Sequence, residues 1–139
     1  MSDTAAPHAA SGLVSVPSRY DAAESLERLV AFLEQKGIRI FARIDHAAGA
    51  REAGLSLRPT TVLLFGNPQV GTPLMQSRQS MGIDLPLKAL VWEDDAGRSW
   101  LAYNDPRYLA ERHGVREHAE TVQAMSAALE ALARAATGD

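Results

Sequence analysis

The feature that most restricts the fold is Asp94-Asp95-Ala96-Gly97, a turn-forming tetrad set between two apolar runs, Leu87 to Glu93 and Arg98 to Tyr103. Gly97 is free to take the positive φ that such tight turns use. Strands joined this closely must run antiparallel, so an all-parallel sheet with crossover helices is excluded. At 139 residues the chain suits one domain. A chain of that size hides about two-thirds of its unfolded surface and needs no disulfide or metal to hold a core.

Around the hairpin, hydrophobic spacing predicts the remaining elements. Leu13 to Val16 alternates apolar and small residues ahead of Pro17, as a short first strand does. Asp21 and Glu24 form a D-x-x-E capping pair, and Leu26, Leu29, Val30 and Leu33 follow at helical spacing up to Gly37. Ile38, Ile40, Ala42 and Ile44 then alternate with Arg39, Phe41, Arg43 and Asp45, the period of a half-exposed strand that turns Arg39 and Arg43 outward. The Ala-rich run from His46 to Ala53, stopped by Gly54, predicts a short helix. Thr60 to Phe65 is β-branched and apolar without a break, the pattern of a central strand covered on both faces, and Gly66 ends it. Asn67-Pro68 and Thr72-Pro73 each pair a cap with a helix-starting proline, so a helix begins at one of them and runs through Met75 toward Gln79. Asn104-Asp105-Pro106 starts another that ends near Gly114. Val115, Val122, Met125, Leu129 and Leu132 mark a last amphipathic helix.

This order fits an α+β fold: a mainly antiparallel, curved sheet of about five strands with helices packed on one face, plus a C-terminal helix. Residues 1–11, small and polar, read as a disordered tail. Residues 12–114 form the domain, and residues 115–139 the helix that packs on it or on a dimer partner.

Charge narrows the function classes. Fourteen basic against seventeen acidic residues leave −3, and the twelve Arg and two Lys are scattered singly from Arg19 to Arg134. Without a basic stripe to displace phosphate counterions, no nucleic-acid partner is expected. Without a polybasic patch or an apolar run near the roughly 18 residues of a membrane span, no membrane partner is expected either. The lack of cysteine removes a disulfide framework, a thiolate metal site and a cysteine nucleophile. The first residues carry neither the charged nor the apolar region of a secretory signal, so the expected location is cytoplasmic.

Six short motifs stand in order: Ile44-Asp45-His46, G-L-x-L at Gly54 to Leu57, LFGNP at Leu64 to Pro68, GTPLM at Gly71 to Met75, DLPLK at Asp84 to Lys88, and YNDP at Tyr103 to Pro106. Together they resemble the domain-of-unknown-function family 302 (DUF302) over roughly Leu13 to Gly114. The resemblance implies a compact α+β domain, similar to the TATA-binding-protein-like fold class and often assembled as a dimer. It supplies no reaction, ligand or cofactor, and similarity of fold class is no licence for DNA binding. The helix after Val115 is longer than the family core requires, which suits a covering helix or a dimer contact.

Asp45-His46 is the sharpest chemical feature, since a carboxylate beside an imidazole can orient it for proton transfer. Adjacent strand residues point to opposite faces, however, so the simpler reading makes Asp45 the cap of the next helix and His46 part of its first turn. Gly66-Asn67-Pro68 and Gly71-Thr72-Pro73 lie between a buried strand and a helix, where free N–H groups favour an anion, although glycine and proline there also simply shape turns. Neither G-x-G-x-x-G nor a P-loop lysine is present, and no cofactor is expected. Tyr103 closes its strand beside Asn104, whose neighbour Asp105 is an alternative cap. Phe41, Phe65, Trp92 and Trp100 read as core or dimer surface, and Met75 and Met81 as filler. His113 and His118 are five apart and do not align as metal ligands, so no metal is expected. Ser56, Ser77 and Ser80 show no local sign of activation.

The leading expectation is a homodimeric cytoplasmic module that binds a small, anionic molecule or a partner segment, with His46, Asn67, Gly71, Thr72, Tyr103 and Asn104 gathered at one mouth of the sheet. The alternatives are an enzyme using His46 as acid or base with Asp45 as its orienter, and a purely structural or interaction module in which the last helix and the tryptophans make a subunit contact.

Overall fold

The computed structural model describes residues 11–139, so all but the last residue of the tail expected over 1–11 lies outside the described residues. In chain order the elements are β1 (Leu13–Pro17), α1 (Ala22–Gln35), β2 (Arg39–Asp45), α2 (His46–Glu52), β3 (Thr60–Gly66), α3 (Pro68–Ser77), a 3-10 turn (Gln79–Ile83), β4 (Leu87–Glu93), β5 (Ser99–Asn104), α4 (Pro106–His113) and α5 (Ala119–Thr137). The strands form one sheet in the order β1-β5-β4-β3-β2, with every neighbouring pair antiparallel. The fold is α+β, as the hairpin requires.

Local chemistry sets the helix starts. The Asp21 side chain accepts the N–H of Glu24 at 2.8 Å to open α1. Asn67 accepts that of Gln69 at 2.9 Å to open α3, which therefore begins at Pro68 and carries Pro73 inside it. Each such cap is worth about 1 kcal/mol.

The core lies between the sheet and two helices. Thr61, Leu63 and Phe65 of β3 are buried, in register with Val91, Ala89 and Leu87 of β4, and Leu101 and Tyr103 of β5 continue the layer. α1 covers them with Leu26, Leu29 and Leu33, and α5 with Leu129, Leu132, Ala133 and Ala136. α5 is thus part of the domain core. A second cluster joins Leu74, Met81, Leu109, Val115, Val122 and Met125 under α3, the 3-10 turn and α4.

Two expectations change. Helices cover β3 on one face only. Val62 and Leu64 are half-buried on the other, beside Ile44 and Ala42 of β2 and Leu90 of β4. The apolar run reflects an open apolar sheet face rather than a second helical layer. Trp92 and Trp100 stack on that face with ring centroids 6.3 Å apart, and the Trp100 indole N–H donates to Asp94 at 2.9 Å.

The second change is in β2, whose register slips between Ile40 and Ala42. The extra residue, Phe41, is a bulge that reverses the alternation. Ile40 keeps to the helix side, but after the bulge Arg43 and Asp45 take that side and Ile44 turns to the open face, 44% exposed. Arg43, expected to point away from the core layer, donates to Glu27 of α1 at 3.1 Å.

Candidate functional site

The length of β3 separates the residues expected at one mouth. His46 follows Asp45, which pairs with Thr61 at the start of β3, whereas Asn67 follows Gly66 at its end. Six residues at about 3.4 Å each set the two roughly 20 Å apart. Asp45 accepts the N–H of Ala48 at 2.9 Å as the cap of α2, so its bonded partner is the backbone and not the exposed His46 imidazole. The acid–base pair proposed from adjacency is absent among the described contacts.

Asn67, Gly71 and Thr72 do stay together. They line a cleft of about 210 Å³ where β3 passes into α3. Phe41 from the β2 bulge, Met75 from α3, Leu85 before β4 and Met125 from α5 form its walls. An adjoining hollow of about 170 Å³ shares Asn67, Val70 and Met125 and reaches Leu129 and Leu132. The anion expected here finds the backbone N–H groups at the helix start already taken. The Asn67 side-chain oxygen takes the Gln69 N–H, and its backbone carbonyl takes those of Val70 and Gly71 at 2.9 and 3.0 Å. No cationic side chain lines the cleft. The Asn67 amide nitrogen keeps two donors and the Thr72 hydroxyl can donate or accept, so the polar chemistry is neutral.

Tyr103 and Asn104 belong elsewhere. Tyr103 lines a hollow of about 480 Å³ on the other flank of α5, with Asp105, Arg107, Ser126, Glu130 and Arg134. Asn104 follows it in β5 and so faces the open side of the sheet. Asp105, rather than Asn104, caps α4 by accepting the Arg107 N–H at 2.9 Å. The Arg107 guanidinium, bonded to it at 3.0 and 3.1 Å, holds the Asp105 carboxyl below the ordinary range. Burial, followed by the nearby charges of Glu130 and Asp105, pushes the Tyr103 hydroxyl up, so it stays a neutral phenol. Among the described residues no group of three or more His, Asp or Glu is placed to hold a metal ion.

The walls Phe41, Leu85 and Met125 escape sequence reasoning because they come from three distant elements. Of the three only Leu85 falls in one of the motifs, Asp84 to Lys88, and nothing local links it to Asn67.

One antiparallel sheet backed by helices on a single face, with a cleft at a strand-to-helix passage, defines a two-layer α+β domain. The family model described as "Domain of unknown function DUF302" matches residues 14–132, and the chain belongs to that family. The match runs past Gly114 and through most of α5, whose Leu129 and Leu132 sit in the core. The crystal structure of an uncharacterized conserved DUF302 protein from Bacillus stearothermophilus shares the fold with a TM-score of 0.80 at 22% identity, covering 91% of this chain and 99% of that one. Over 130 residues, 93% of its length, the chain is 47% identical to proteins named fluoride-specific ion channel FluC 1 from Brucella suis biovar 1 (strain 1330) and Brucella abortus biovar 1 (strain 9-941). It spans about half the length of these relatives, 51% and 48%. Among the described residues no helix is long and apolar enough to cross a membrane.

Proposed function

We propose that this domain is a binding module whose ligand is a small, largely apolar molecule with one hydrogen-bonding end, seated in the cleft between β3, α3 and α5. The observation that carries this reading is the pair Asn67 and Thr72 on an otherwise apolar lining. A carbonyl on the ligand would take the Asn67 amide N–H, and its apolar body would lie against Phe41, Leu85 and the adaptable Met75 and Met125. That the matched region makes up about half of longer relatives fits a self-contained module. Amide NMR spectra titrated with neutral aromatic amides, and separately with acetate and phosphate, test it. Shifts confined to residues 67–75 and 85–87 with the amides, weakened about tenfold by Thr72→Val, are expected. Shifts with the anions alone, or none in this region, overturn the reading.

The same module is proposed to work as a homodimer through the open sheet face. Ile44, Val62 and Leu90 form an accessible apolar row across three strands in register, which ends on the buried Ala102 of β5. Lys88, on the same face, reaches back to the Pro86 carbonyl at 3.4 Å. The row itself carries no charge, Lys88 standing one residue pair off it on the middle strand, and an apolar row is complementary to itself, which is what a two-fold pair needs. Sedimentation equilibrium should give a dimer for the wild type and a monomer for Ile44→Lys, whose exposed position tolerates the change. A monomeric wild type, or an unchanged variant dimer, removes the proposal.

A further inference from the structure

Three side chains outside both hollows meet where the 3-10 turn packs on the end of α4. Ser80 Oγ lies 2.9 Å from His113 Nδ1, and His113 Nε2 lies 2.5 Å from Asp84 Oδ2. The direction of proton sharing follows from the partners. A carboxylate only accepts, so Nε2 carries the ring proton; Nδ1 then holds the lone pair, and the Ser80 hydroxyl must be the donor. Arg112 Nη1 fixes the carboxylate from 2.9 and 3.1 Å. The ring is nearly closed off, its side chain 8% exposed, while Ser80 stands on the surface.

A solvent-facing hydroxyl, a shielded imidazole and a carboxylate in series are the parts that activate a serine. We infer that Ser80 is a nucleophile toward small carboxylic esters, with His113 as its general base and Asp84 as the positioning residue that sets the ring's tautomer. Ser80 Oγ bonds to the carbonyl carbon as its proton passes to Nδ1. The bond to the leaving oxygen then breaks, and that oxygen takes the proton. Water repeats the sequence on the acyl-serine, releasing the acid and restoring the hydroxyl. Arg112 lies behind Asp84, and Arg78 sits against Gly114, the residue after His113. Of the nearby carboxylates, Asp84 is engaged by Arg112, and Glu117 accepts from the Ser77 hydroxyl at 2.9 Å, with Glu111 and Arg116 farther along the same segments.

The test is acylation of the intact protein by 4-nitrophenyl acetate and mono-4-nitrophenyl succinate, followed by mass spectrometry and nitrophenolate release. One acyl group at Ser80 is expected with either ester, absent in Ser80→Ala, and slowed roughly 10²–10⁴-fold in His113→Gln. The wild-type rate should rise with pH to a plateau, a step that His113→Gln lacks and that a merely structural clamp does not produce. Ser80→Ala alters only an exposed hydroxyl, so circular dichroism should match the wild type even if His113→Gln fails to fold. Equal acylation of wild type and Ser80→Ala, or a rate without the imidazole step, overturns the assignment.

Discussion

Leu63 and Leu64 are neighbours in β3 with the same side chain on opposite faces, which makes them a direct measure of one-sided coverage. Leu63 is fully buried under α1 and α5, whereas Leu64 is half-buried on the open face. Truncating Leu63 to Ala removes three carbon groups from the core, about 2.4 kcal/mol at roughly 0.8 kcal/mol each. An unrelaxed cavity of about 60–80 Å³ at ~24 cal/mol per Å³ adds about 1.5–2 kcal/mol, for a total near 4 kcal/mol. Leu64→Ala loses roughly half the transfer contribution and leaves no enclosed void, about 1 kcal/mol. Loss of β propensity is common to both variants, so their difference, about 3 kcal/mol, reports burial alone. With an unfolding entropy of about 2.1 cal/mol/K per residue, the midpoints should fall by about 14 °C and about 3 °C. Urea and thermal melts at low micromolar concentration provide the assay. Equal losses in dilute solution would mean that the second face is covered within one chain. A Leu64 loss that grows with concentration would instead report pairing between copies.

Three further perturbations probe other contacts. Hydrogen bonds from the Trp100 indole and from the Arg98 and Ala96 N–H groups lower the Asp94 carboxyl from its ordinary 3.8. Its contribution is therefore present above that value and lost as pH falls through the lowered folded pKa. Urea midpoints of Asp94→Asn between pH 2 and 6, read by tryptophan fluorescence, should depend less on pH below about 4 than those of the wild type; parallel curves would contradict this. Asp45→Ala should cost about 1 kcal/mol through loss of the α2 cap, and His46→Ala within about 0.5 kcal/mol of nothing. A larger His46 effect in denaturant melts would restore a structural pairing of the two. Gly12 has φ +77°, and a Cβ there would fall 2.3 Å from Tyr108 Cγ, so Gly12→Ala should cost roughly 1–3 kcal/mol, with urea melts showing whether the ring moves aside cheaply.

Legibility in the sequence followed the range over which each feature is specified. The caps Asp21, Asn67 and Asp105 and the Asp94–Gly97 turn act within a few residues, so each can be read in place. The Phe41 bulge cannot, because alternation from Ile38 to Ile44 looks the same with or without an extra residue in the partner register. Nor does the run Thr60–Phe65 say whether its second face meets a helix, another copy or water. Asn67, Gly71 and Thr72 were found together because one connection carries them. The place of His46 is not legible, because a strand end does not reveal to which end of its neighbour it pairs. Ser80 and His113, 33 residues apart, carry no local mark of each other.

Met125 and Ser126 are consecutive in α5, yet one borders the apolar cleft and the other the charged hollow beside Tyr103. A single turn of helix is therefore the partition between two chambers. A bulkier side chain at 125 would narrow the cleft and one at 126 the hollow, so each can be altered separately from one turn of helix. The Ser126 hydroxyl, 3.5 Å from Asp105, also ties that turn to the cap of α4.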